Sequence, residues 1–246
     1  MAMRCMASPG DHVIAPFPAY QSLYANLTSI GCTVDKWEPQ LVEDEEVMEE
    51  EKGKLNEGSG DVKDVANKRR KLTRARWRFS VSSLERLVKP TTKLIVVNFP
   101  HNPTGAVLDA ADWTRLVEMC RRRSIALFSD EMYKYLVDDG EGESLGNGGV
   151  LTSATLPSAC DVYEKATSLF GVSKSLSLPG LRIGWLVTRD GAVIDKLKSF
   201  KDYLSICSSA PSEILSLIAI RSVIMADSEM VDRNIHRKCD ACEAVL

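Results

Sequence analysis

Lys174 stands in Ser168-Leu-Phe-Gly-Val-Ser-Lys174-Ser-Leu-Ser-Leu-Pro-Gly-Leu-Arg182-Ile-Gly-Trp185, among small residues and eight positions before an arginine. An amine must lose its proton before it forms an imine, and a tight loop of small polar residues leaves it uncrowded for a carbonyl. Arg182 follows a Pro-Gly turn at the mouth of an apolar strand. Its planar fork suits a phosphate, because it can make two parallel charge-assisted hydrogen bonds. An amine for an aldehyde and a guanidinium for a phosphate together suggest pyridoxal phosphate (PLP). Two further loops carry polar groups directly after apolar runs: Asn98-Phe-Pro-His-Asn102-Pro-Thr-Gly105 and Ser129-Asp130-Glu131-Met132-Tyr133. As bare turn chemistry, the first is a reverse turn and Asp130 merely caps a following helix.

The run from Ser173-Lys174 to Pro179-Gly-Leu-Arg-Ile-Gly-Trp185 resembles the Schiff-base segment of fold-type I PLP enzymes, the class I/II aminotransferases in particular. The resemblance runs from about residue 10 to at least residue 213 and takes in both polar loops in the family's order. It implies that Lys174 holds the cofactor as an imine and, once freed, carries a proton between the substrate α-carbon and the cofactor carbon. Arg182 would clamp the phosphate. Asp130 would pair with the pyridine nitrogen and keep it protonated, which makes the ring an electron sink. Asn102 and Tyr133 would share the charge of the phenolic oxygen. Tyr20, in Pro18-Ala-Tyr20, would stack on the ring, although an aromatic at the start of a helix serves equally as core. Gly171 stands where many relatives have a phosphate-binding serine, so Ser173 or Ser168 is the expected substitute.

The activity implied is transfer of an amino group between an amino acid and a 2-oxo acid, in a homodimer. A PLP lyase of the same fold, or a non-catalytic remnant, shares these motifs. The chain begins where the family's preceding helix should already be under way, with no Gly-rich phosphate turn before Gly10. It ends before the small domain that brings an arginine to the substrate carboxylate. A truncated large cofactor domain is therefore expected.

The elements that must position these groups read as α/β: a three-layer αβα arrangement around a mostly parallel central sheet. Apolar runs at 12–16, 32–37, 93–98 and 125–129 are strands, as is 182–188; the run at 93–98 is continuous, as in a strand buried on both faces. Helices are expected over 18–30, stopped by Gly31, then 84–88 with Ser80 or Ser82 as cap, 110–123, 192–203 and 212–226, with a helical tail to residue 246. The strand, helix and strand between 93 and 129 form a βαβ unit. Residues 1–40 and 77–210 are then the PLP-binding domain. Residues 211–246 form a helical segment leading towards the small domain. Between them, 41–76 reads as a disordered charged insertion, an acidic block followed by a basic one with few apolar residues to repay ordering.

Composition narrows the rest. The 246 residues carry a net charge of −3, which argues against a nucleic-acid or anionic-membrane partner, and 44% are hydrophobic, ample for a core. No apolar run reaches membrane-spanning length, and the opening Met-Ala-Met-Arg-Cys-Met lacks a signal peptide's apolar centre. Seven scattered cysteines read as reduced thiols of a cytoplasmic protein. His236, Cys239 and Cys242 have the spacing of half a zinc site, but with no second ligand pair they read as helix residues, and no metal is expected.

Overall fold

The computed structural model describes residues 1–43, 47–49, 70–72, 75–134, 136 and 156–225. Its elements run α1 (Ala2–Met6), β1 (His12–Pro16), α2 (Ser22–Ile30), β2 (Thr33–Trp37), β3 (Gln40–Glu43), β4 (Val47–Glu49), β5 (Arg70–Leu72), β6 (Ala75–Arg78), α3 (Val81–Leu87), β7 (Thr92–Asn98), α4 (Ala110–Arg123), β8 (Ala126–Asp130), α5 (Ala159–Val162), β9 (Ala166–Gly171), a single 3₁₀ turn (Pro179–Leu181), β10 (Gly184–Thr188), α6 (Gly191–Leu204) and α7 (Ala210–Met225).

Six strands form one sheet in the order β10-β9-β8-β7-β1-β2. All neighbours are parallel except β10, which runs antiparallel to β9. Apolar side chains alternate across it, as the two-residue period of a strand requires. Leu94 and Val96 of β7 join Met3, Val13, Leu23 and Leu27 in a core under α1 and α2. Ile95 and Val97 join Phe79, Leu84, Trp113 and Leu116 in a second core under α3 and α4. Helices thus cover both faces of a mostly parallel sheet, the three-layer arrangement expected.

Local chemistry fixes the boundaries. Asp109 caps α4 by accepting from the Asp112 amide at 2.7 Å. Ser80 caps α3, one turn earlier than the expected start, by accepting from the Ser83 amide. Gly31, at φ 96°, ends α2 in the left-handed region where glycine carries no Cβ penalty. That helix starts at Ser22 and not at 18, so Tyr20 lies in the approach to it. No strand was expected over 166–171, where the structure has β9.

The expected disorder over 41–76 needs a correction at its ends. β3 pairs antiparallel with β6, and β4 with β5. Sparse apolar residues argue against a packed core, but two antiparallel arms can still be held by backbone hydrogen bonds. The backbone register sets Glu49 opposite Arg70. Residues 50–69, and the expected tail with His236, Cys239 and Cys242, lie outside the described residues. Among the described residues, no helix is long and apolar enough to cross a membrane.

Candidate active site

β7 and β8 are parallel neighbours with Asn98 opposite Asp130, so their loops leave the sheet side by side at its carboxyl end. Open α/β sheets place ligands in that crevice. Asn98, 1% exposed, ties the two loops together. Its Nδ2 donates to the Asp130 carbonyl at 3.0 Å, and its Oδ1 accepts from the Asn102 amide at 3.0 Å. The outcome is a meeting of side chains: Asn102 Nδ2 lies 3.3 Å from the Tyr133 hydroxyl.

Asp130 is buried, with Oδ1 accepting from the Met132 amide at 3.1 Å. Burial pushes its carboxyl up to about 6, opposed by that hydrogen bond and helped by the adjacent Glu131 charge. A carboxylate so placed is starved of positive charge, and a cation brought beside it would be bound strongly. His101, in the Asn98 loop, is different: burial holds its imidazole down at about 4, against a weaker opposing pull from the Pro18 carbonyl. Its Nδ1 sits 2.8 Å from Thr104 Oγ1, a contact that shapes the turn.

Lys174 lies on the loop after β9, which closes on itself through Ser177 N to Lys174 O at 3.0 Å and Leu178 N to Val172 O at 3.0 Å. Its Nζ stands 5.6 Å from the centre of the Tyr133 ring. Arg182 holds a left-handed backbone at φ 57°, and its Nη1 donates to the Pro179 carbonyl at 2.8 Å. A Cβ on Gly171 would stand 3.0 Å from the Ile183 carbonyl and 3.0 Å from Met132 Cε, so a larger residue there would press on both.

A cleft of about 1050 Å³ brings Tyr20, Asn102, Asp130, Tyr133, Ser173, Lys174 and Arg182 onto one wall system. Tyr20 is 58% exposed there, so it is no core aromatic. Lys198 and Lys201 of α6 also line the cleft, and with Lys174 and Arg182 against Asp130 they make it cationic in a chain that is acidic overall. Such a cleft favours anionic ligands. Ser168 is the exception among the expected residues. It is fully buried and donates to Glu131 Oε1 at 2.7 Å, so it cannot face a phosphate, and Ser173 is the hydroxyl that can.

Sequence reading gave no role to Asn98 or Glu131. The available signal was a polar residue closing a buried apolar strand, where an unsatisfied amide would be costly.

The family described as aminotransferase class I and II matches residues 1–238. Among curated proteins, the chain is 30% identical over 131 residues to aromatic-amino-acid aminotransferase 2 of Thermococcus litoralis, covering 53% of this chain and 31% of that one. It is 28% identical over 222 residues to an aspartate aminotransferase of Sulfurisphaera tokodaii, covering 90% of this chain and 45% of that one. Among solved structures, a PLP-dependent aminotransferase from Streptococcus suis is 29% identical with a TM-score of 0.64, over 91% of this chain and 48% of that one. The matched part of the chain thus spans 31% to 48% of the length of these proteins.

Proposed function

Because the chain belongs to the class I and II aminotransferase family, we propose that it is the cofactor-binding part of a PLP-dependent transaminase, moving an amino group between an amino acid and a 2-oxo acid. The observation that carries this reading is the convergence of Lys174, Asp130 and the Asn102 and Tyr133 pair on one cationic cleft. The donor set fits the cofactor. Asp130 would hold a protonated ring nitrogen, Asn102 and Tyr133 the phenolic oxygen, Ser173 and Arg182 the phosphate, and Tyr20 the ring face. When bound, PLP supplies an electron sink for the electrons left on the substrate α-carbon.

The remaining work falls to the chain's own groups. Lys174 presents its amine to the carbonyl carbon and moves a proton at the substrate α-carbon. Asp130, raised by burial, has most to gain from a positive partner and so would favour a protonated ring nitrogen were the cofactor bound beside it. Asn102 and Tyr133, already 3.3 Å apart from two loops, would together hold the phenolic oxygen by hydrogen bonds. A homodimer is the assembly proposed, supported by exposed apolar side chains on α7 such as Ile214 and Ile218.

The test is chemical labelling. Borohydride reduction of the PLP-treated protein, followed by peptide mapping, is expected to place the pyridoxyl group on Lys174. Label on another lysine, or none, would overturn the assignment, and an amino-transfer assay against a panel of 2-oxo acids then separates a transaminase from a lyase.

A further inference from the structure

The turn at residues 131–134 has two sides. Towards the cleft it presents Tyr133. Away from it, Glu131 and Lys134 are 5% and 8% exposed and pair at 3.0 Å. Glu131 Oε1 also accepts from the Ala159 amide at 3.0 Å and from Ser168 Oγ at 2.7 Å, while Lys134 Nζ reaches Ser158 Oγ at 2.6 Å. The Ser168 hydroxyl in turn accepts from the Cys160 amide at 3.1 Å. One buried carboxylate therefore bolts the turn to β9 and α5.

Three site groups hang on this turn. Asp130 precedes it and accepts from its Met132 amide. Tyr133 is inside it, 3.3 Å from Asn102. Ser175, next to Lys174, donates to the Lys134 carbonyl at 3.1 Å and lies 3.4 Å from the Met132 carbonyl. The Lys174 loop is thus suspended from the same four residues.

We propose that the buried ion pair of Glu131 and Lys134 is a positioning device, fixing the turn at the spacing that sets Tyr133 and, through Ser175, Lys174 against one another across the cleft. Burying two charges is costly and seldom adds stability over apolar residues of the same size, so its worth here is geometric. Neither residue of the pair lines the cleft. The proposal rests on the transaminase reading for its functional meaning, but its geometry does not depend on a bound cofactor.

The experiment uses the double variant Glu131→Met with Lys134→Met, which removes both charges together so that neither is left unpaired, while the Ala159 amide and the Ser158 and Ser168 hydroxyls lose these partners. In the ligand-free chain labelled with ¹³Cζ-tyrosine, the Tyr133 resonance, identified by its loss in Tyr133→Phe, is expected to move, while circular dichroism and the melt stay those of a folded protein. In PLP-treated chain, the pH midpoint of the visible band is expected to move as well. Where turnover is measurable, kcat is expected to fall roughly 10²-fold, the scale of a misplacement near 1 Å, with KM little changed. A Tyr133 resonance identical to the parent's overturns the proposal. Should the double variant not fold, Glu131→Gln decides on the same resonance, since it keeps the volume and an acceptor for Ala159 and Ser168 but loses the charge. A shifted Tyr133 signal in a chain that takes no PLP would uphold the positioning role and sink the transaminase reading.

Discussion

Asp130 is the residue whose environment is most at odds with its charge. Its carboxyl stands at about 6 in the folded chain because burial disfavours the ionised form. The unfolded chain ionises near the ordinary aspartate value, so between the two values the folded state holds the extra proton and stability falls as pH rises. Above the folded value the ligand-free chain carries a penalty of roughly 3 kcal/mol, which vanishes below about pH 4. Asp130→Asn is therefore expected to melt higher than the parent at about pH 8 and to converge with it in acid, while losing turnover. Equal melts at high pH would mean that the carboxylate is not desolvated. Lys174→Ala is expected to abolish amino transfer, whereas Arg182→Ala should chiefly weaken PLP retention in equilibrium dialysis, because a clamp acts on binding and an amine acts on the reacting carbon. The sequence exposed Lys174, Asn102, Asp130, Tyr133 and Arg182 through type and order. Asn98 and Glu131 stayed hidden because the partners that tie them across the fold, the Asp130 carbonyl, the Ala159 amide and the Ser168 hydroxyl, belong to distant elements, which no spacing along the chain displays.

At the scale of elements, the strongest periodicities were the most legible. α4 lies over 110–123 as its apolar stripe demands, and β7 and β8 are apolar runs between turn residues. β9 was not legible, because Ala166–Gly171 mixes threonine, serine and glycine, and its burial comes from β8 and β10 on either side. The direction of β10 was equally hidden, since periodicity says nothing about which way a strand runs. That antiparallel pair depends on Gly184, where a Cβ would stand 2.9 Å from the Phe170 carbonyl. Gly184→Ala is expected to cost about 1–3 kcal/mol through forced separation of the two strands, read as a lowered denaturant midpoint. An unshifted midpoint would show that β10 can slide away without loss.

For the whole molecule, the contrast is between a sheet covered on both faces and a helix left open. Ile214, Leu217 and Ile218 of α7 are 59%, 48% and 55% exposed. Changing all three to glutamate is expected to break the proposed dimer, read as a halved mass in light scattering, and to remove the concentration dependence of the melting temperature. An unchanged mass would show that α7 is not the interface. The charged segment bears on the molecule in another way. Its two ladders bring Gln40 opposite Arg78 and Glu49 opposite Arg70, so the chain leaves and re-enters the domain through a closed stem. The connection from Glu49 to Arg70 joins two ends that β4 and β5 already hold side by side, and each doubling of a connection's length adds only about 0.6 kcal/mol of closure entropy. Residues 50–69 are then a place to graft: a short turn, or a guest domain with adjacent termini, should be carried there without disturbing the cooperative melt of the sheet.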